Sequence, residues 1–229
     1  MLGPDFHDPT TYQFARGEQD VGFYEPKAGG GVSLKTDQAI VLRHIKYGDA
    51  DLIVSLLTKE EGKIGGLAKG ARRSKKRFGS SLEIGSHLHV VFEADTKRDL
   101  VFLKETSLLK GNPQWRKSLV SIAAVGFALE LVAKTLPEKH PSVQKFECLE
   151  RFLENLNEKG SISSLMEFQL EWLSLSGWQA NLESCGICGI RLKPSKEWEA
   201  LQKILDHYWL HILGKPLVSR KLLDTALLV

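Results

Sequence analysis

Residues 39–71 read AIVLRHIKYGDADLIVSLLTKEEGKIGGLAKGA. Two runs, AIVLRHIKY (39–47) and DLIVSLLT (51–58), are rich in β-branched and aliphatic side chains, which suit a pleated, half-buried surface. The turn-like Gly48-Asp49-Ala50 separates them. A third run, Lys63 to Ala71, is punctuated by Gly65, Gly66 and Gly70, with Gly62 just before it. Glycines inside a strand point to bulges or sharp coiling, which a small closed barrel needs. His87 to Ala94 and Leu100 to Leu108 read as a hairpin around the polar Asp95-Thr96-Lys97-Arg98-Asp99. Five short strands in so few residues predict a five-stranded OB-fold β-barrel over residues 37–110.

Beyond residue 110 the period changes. Leu119, Ile122, Gly126, Leu129, Ala133 and Leu136 follow helical spacing, and Pro137 bars continuation. Pro141 suits the first turn of a second helix, with Val143, Phe146, Leu149, Leu153 and Leu156 facing inward. Ser164 and Glu167 have capping-box spacing for a third helix that ends before Gly177. Trp198 to Leu213 and Val218 to Leu227 are two further amphipathic stretches. The expected class is therefore α+β in two domains, the barrel followed by an all-α domain over 111–229.

Charge is concentrated at one place. Residues 59–77 hold eight Lys or Arg against Glu60 and Glu61, a balance of +6 where the whole chain is only +3. Within it, Lys69, Arg72, Arg73, Lys75, Lys76 and Arg77 crowd together without an acid. Like charges packed so densely call for a polyanion, and a strand-flanked basic loop reads first as a phosphate-backbone contact. Aromatics on the barrel (Tyr47, Phe78, Phe92 and Phe102) are candidates to stack nucleobases. Phe78 is the first choice because it directly follows the cations.

Other chemistry fails on pattern. Gly65 to Gly70 is followed by Ala71-Arg72, so there is no phosphate-binding G-x-x-x-x-G-K-[ST], and no G-x-G-x-x-G exists. No His pairs with a flagged Ser or Cys nucleophile, so no enzyme is expected. Cys185-Gly186-Ile187-Cys188 is half a zinc knuckle, and no second CxxC completes four ligands. His207 and His211 offer H-x3-H spacing, but they lie in a stretch with apolar helical periodicity. Cys185 and Cys188 therefore read as a degenerate zinc-knuckle insertion, with no cofactor expected, and Cys148 reads as packing.

Residues 1–36 stand apart, with Pro4, Pro9, Pro26 and Gly29-Gly30-Gly31, acids outnumbering bases, and no periodicity. They are expected to form an extended acidic tail. The first residues lack the basic and apolar regions of a secretory signal, and no apolar run suits a membrane span. Three cysteines cannot all pair within the chain. The expected setting is a reducing cytoplasm.

In order along the chain, Ile40-Val41-Leu42, Tyr47-Gly48-Asp49-Ala50-Asp51, Ile53-Val54, Thr58, Glu61-Gly62 and Ala68-Lys69-Gly70-Ala71-Arg72-Arg73 resemble the first barrel strands and basic loop of the bacterial recombination mediator family RecO. FQLEWLSLSGW (168–178), Leu182, Cys185-Gly186-Ile187-Cys188-Gly189 and LGKPLVSR (213–220) resemble its helical part and closing helix-turn-helix. The chain departs from the family at three places. Residues 191–198 replace a second cysteine pair, Asp49 stands where Glu is common, and residues 1–36 have no counterpart.

The resemblance implies a DNA-binding mediator, localised with the nucleoid, that binds single- and double-stranded DNA. It implies annealing of strands coated by single-stranded-DNA-binding protein and, with RecR, loading of RecA. It also implies a helical-domain pocket with a nearby cation for the coating protein's C-terminal tail; Arg220 and Lys221 are the candidates. An OB-fold RNA-binding module and a zinc-binding regulator are the alternatives.

Overall fold

The computed structural model describes residues 32–74, 76–95, 98–110, 114–156, 161–178 and 198–228. Five strands, β1 (Val32–Tyr47), β2 (Asp51–Thr58), β3 (Gly62–Ala68), β4 (His87–Asp95) and β5 (Leu100–Lys110), close into a barrel in the order β1-β2-β3-β5-β4. The β3–β5 pair is parallel and the other four are antiparallel. Strand alternation sends Ala39, Val41, Val54, Leu56, Ile64, Leu88, Val90 and Phe92 inside. The long β1 serves both β2 and β4 and bends at a bulge between Val41 and Arg43.

Two details differ from the sequence reading. β1 begins at Val32, so Val32 to Thr36, expected in the tail, pair with Asp95 to Val91 of β4. The bulges fall in β1 and in the β4–β5 pair, not in the glycine-rich β3. Gly65 and Gly66 instead permit close packing. A Cβ at Gly65 would lie 2.7 Å from Leu100 Cδ2, and one at Gly66 2.8 Å from Leu103 Cδ2.

The helical part comprises α1 (Leu119–Thr135), α2 (Val143–Asn155), α3 (Ser161–Leu175), α4 (Trp198–Leu213) and α5 (Ser219–Leu227). A 3-10 turn, Gln114–Lys117, leads into α1, whose N-cap Ser118 accepts from the Ser121 amide. Helical spacing predicts one buried stripe on α1. In the structure Ala123, Ala124, Val125, Phe127, Ala128, Leu129, Leu131 and Val132 are all buried, while Leu119 and Ile122 at its start are exposed. A helix apolar on every side belongs at the centre of the bundle, and α1 touches both α3 and α5. α3 starts three residues earlier than its expected cap. Ser164 therefore lies inside the helix, with its hydroxyl donating to the Asn155 carbonyl at 3.3 Å.

The barrel and the helices share a core. Ile40, Leu42 and Leu57 point out of the barrel and join the helical cluster that holds Phe127, Phe146 and Trp172. Burying each contributes about 1.5–3 kcal/mol. Around this contact α2 presents Glu147, Glu150 and Glu154 to the barrel rim. Lys59 reaches Glu147 at 3.3 Å, Lys110 reaches Glu150 at 3.2 Å, and Lys110 also pairs with Glu154. His87, nearly buried, lies 3.3 Å from Glu150 and edge-on to Phe146. Burial holds its pKa below the usual 6.5, against the opposing pull of Glu150. Lys63 Nζ donates to the Ala133 carbonyl at 2.8 Å, and burial lowers its pKa. Gly62, at φ +74°, lies where a Cβ would meet the His140 carbonyl oxygen at 2.4 Å.

The N-terminus of α5 has no cap of its own. Glu130 of α1 supplies one, accepting from the amides of Val218 (3.0 Å) and Ser219 (2.7 Å) and from the Ser219 hydroxyl (2.5 Å). Burial alone would raise its pKa. These bonds and Lys134 at 2.7 Å outweigh that and hold it at about 2.

Candidate nucleic-acid interface

The basic segment follows β3 as a loop braced on both sides. Gly70, at φ +68°, makes the turn that Ala68-Lys69 enters. Its amide donates to Asp51 Oδ1 at 2.7 Å. The Arg72 amide donates to the Ala50 carbonyl and its guanidinium to the Asp49 carbonyl, both at 2.9 Å, so the loop is tied to the β1–β2 turn. Arg77 Nη2 donates to the Lys69 carbonyl at 2.7 Å and closes the loop on itself. The Arg77 carbonyl accepts from Thr106 of β5 at 2.9 Å.

This bracing leaves Lys69, Arg72, Arg73, Lys76 and Arg77 exposed. Among the described residues none of these five makes an ion pair, in contrast to four other cations on the barrel. Lys35 pairs with Glu61, Lys104 with Glu93, and Lys59 and Lys110 with α2. Of the eight cations in 59–77, Lys59 and Lys63 thus serve the joint with the helices, and the five described ones from Lys69 onward face solvent. Lys75 lies outside the described residues. Arg72 and Arg77 spend donors on carbonyls but keep others, since a guanidinium has five.

Phe78 is not the stacking residue expected from its place after the cations. It is 1% exposed and packs in the barrel core with Leu82 and Phe92. The chain turns at Ser74 to Phe78, where the Phe78 amide bonds the Ser74 carbonyl, and the turn sends the ring inward. Phe92 is likewise buried. Tyr47 (48% exposed) and the half-buried Phe102 are the barrel aromatics in reach of solvent. Phe102 has Lys69 Nζ at 5.5 Å and the Arg98 guanidinium at 5.0 Å from its ring centroid.

On the helical part, a cavity of about 130 Å³ opens between α4, α5 and α1. Phe127, Trp209, Leu210, Pro216 and Leu217 give it apolar walls, and Arg220 stands at its side. Arg220 is held by Asp206 at 3.0 Å and Asp224 at 2.9 Å. Lys221 is exposed and does not line the cavity. Sequence spacing could not find this cavity, because its walls come from residues far apart in the chain. Cys185 and Cys188 lie outside the described residues. His207 lines the cavity and His211 packs edge-on against Trp178. Burial, reinforced by Glu171, pushes the Cys148 thiol up to about 12, which makes it an inert packing group.

The barrel and the first three helices fall within two known sequence families. Residues 32–112 match the family described as Recombination protein O N terminal, and residues 116–196 the one described as Recombination protein O C terminal. A DNA repair protein RecO from Desulfatibacillum aliphaticivorans is 36% identical over 175 residues, covering 75% of this chain and 67% of that protein. The chain belongs to the recombination protein O family.

Other RecO proteins agree. The DNA repair protein RecO of Syntrophotalea carbinolica is 36% identical over 155 residues, 67% of this chain and 60% of that protein. That of Geobacter metallireducens is 35% identical over 161 residues, 70% of this chain and 65% of that protein. The chain thus spans about 60–67% of the length of these RecO relatives. The RecO match begins at residue 32, where β1 begins.

Proposed function

We propose that the chain is a DNA-binding recombination mediator. On this reading it anneals complementary strands coated by single-stranded-DNA-binding protein and, with RecR, promotes RecA loading. The observation that carries it is the braced loop whose five exposed cations have no carboxylate partner among the described residues, in a RecO-family chain. The closed strand order β1-β2-β3-β5-β4 supports reading the barrel as an OB-fold, a scaffold that takes up oligonucleotides. Annealing is opposed by repulsion between phosphates. A cation cluster lowers that barrier without reading bases, so binding is salt-steep and sequence-tolerant. The α4–α5 cavity, with its apolar walls beside Arg220, suits the acidic, apolar C-terminal tail of the coating protein. Tethering there raises the local concentration of the second strand.

The test is annealing of complementary strands pre-coated with the cognate single-strand-binding protein. Arg73→Ala/Lys75→Ala/Lys76→Ala spares Arg77, whose guanidinium closes the loop. The wild-type protein should accelerate annealing, and the triple variant should lose most of that acceleration. Equal rates for the two would remove the loop from the mechanism.

A further inference from the structure

An acidic side chain sits at the base of the basic loop. Gly70 is the loop's pivot. Its carbonyl accepts from the amides of Arg73 at 3.0 Å and Ser74 at 2.9 Å, so the segment that carries the cations folds around that one residue. Its amide donates to Asp51 Oδ1 at 2.7 Å. Asp51 opens β2, directly after the β1–β2 turn. In that turn the carbonyls of Asp49 and Ala50 take the guanidinium and the amide of Arg72. Asp51 thus supplies the side-chain acceptor in a three-bond joint between turn and loop. Among the described residues it makes no ion pair. Its carboxylate therefore acts on the loop through the backbone, and the exposed cations stay without a carboxylate partner. Gly70, at φ +68°, is held to this geometry from the other side as well, because a Cβ there would lie 3.3 Å from Arg77 Nη2.

We infer that Asp51 is a positioning residue for DNA, an acid that strengthens the binding of a polyanion. This rests on the DNA-binding reading above and adds to it what holds the cations ready. The carboxylate has two opposing effects. Its charge repels phosphate; at about 10 Å in water a unit charge alters affinity about twofold, and salt reduces that further. Its bond to the Gly70 amide is charge-assisted, and such bonds are about twice as strong as neutral ones. A loop that loses this bond samples other shapes, and its apparent affinity falls to the fraction of time spent in the binding shape. If that fraction drops to about one in ten, a tenfold loss set against a twofold gain leaves binding about fivefold weaker. The ordering effect wins. Ordering a loop releases no counterions, so it displaces the plot of log K against log salt without tilting it, whereas removing a cation tilts it.

The full chain is titrated with a mixed-sequence single strand of DNA over a range of salt. Asp51→Ala should weaken binding about fivefold or more at every salt, on a line parallel to that of wild type. Asp51→Asn keeps an oxygen for the Gly70 amide but loses the charge, so it should bind as wild type does or up to about twofold tighter. Gly70→Ala disturbs the same contact from the loop side and should also weaken binding in parallel. Combined with Asp51→Ala it should add little further loss, because the two share one bond. If Asp51→Ala melts early, Asp51→Asn and Gly70→Ala decide the matter, and each must behave as stated. The inference fails if Asp51→Ala and Asp51→Asn bind alike, which would leave charge as the whole effect. It also fails if Asp51→Ala flattens the salt line as loss of a cation does, or if the losses of the double variant simply add. Failure of wild type to bind the strand at any salt would instead overturn the DNA-binding reading itself.

Discussion

The barrel has two apolar areas on its outside, and they meet different fates. On β1, Ile40 and Leu42 point outward into the helical core and are buried, while Ile45, beyond the bulge, points outward into solvent. On β2, Leu57 is covered and Ile53 is only half-buried. The charges beside the two areas differ in the same way. Near the covered area three barrel cations have partners on the helices: Lys59 and Lys110 on α2, Lys63 on the end of α1. Beyond Ile45 and Ile53, five exposed cations of the basic loop lack any ion pair among the described residues. Apolar surface and charge satisfied within the chain hold it together, whereas cations left without a carboxylate suit an anionic ligand.

The comparison breaks most directly in stability. Ile40→Ala should cost about 2–5 kcal/mol in urea unfolding, and Ile45→Ala about 0.5 kcal/mol or less. Equal losses would mean that the two areas are not distinct.

Acid should act on the helical part through Glu130. Its folded pKa, about 2, lies below the ordinary 4.5. The stabilisation is therefore fully present above pH 4.5 and is lost as pH falls towards 2. By linkage it amounts to about 3 kcal/mol. Glu130→Gln should flatten that part of the pH–stability curve. His87 works in the same direction at higher pH. With its folded pKa lowered by burial, the unfolded chain binds the proton first, so stability declines as pH drops below 6.5.

Smaller effects separate the two classes of cation. Arg73→Ala/Lys76→Ala should change stability by about 0.5 kcal/mol or less but flatten the dependence of log K for DNA on log salt by about 1.5. Lys59→Ala, which removes the pair with Glu147, should cost about 0–1 kcal/mol in stability and leave that salt slope unchanged. A slope change with Lys59→Ala would place the joint within the DNA path.

What was legible in the sequence was local. The strands and helices follow from side-chain period and from Pro and Gly punctuation, and the loop's charge needs no structure to be seen. What was not legible depends on register or on distant partners. Phe78 adjoins the cations in sequence, but a turn carries it inside, while Phe102 reaches Lys69 because β3 and β5 pair in parallel. Val32 to Thr36 alternate only briefly and directly follow Gly29-Gly30-Gly31, and their partner strand β4 lies far along the chain. Glu130 caps a helix nearly ninety residues away, which no capping motif encodes. The single stripe assigned to α1 missed that its small and aliphatic residues are buried nearly all round.

The shared core also orders events during synthesis. Ile40 and Leu42 leave the ribosome early, but the helical residues that cover them, from Ala123 to Val132 onward, come roughly ninety residues later. At about 5–20 residues per second, the nascent chain carries a wet apolar seam for on the order of ten seconds. The barrel's own closure falls within the same interval, because β1 awaits β4 and β3 awaits β5. During that time the half-made protein is a client for whatever shields exposed hydrophobic surface at the exit tunnel, and mutations that delay α1 will show first as lost yield.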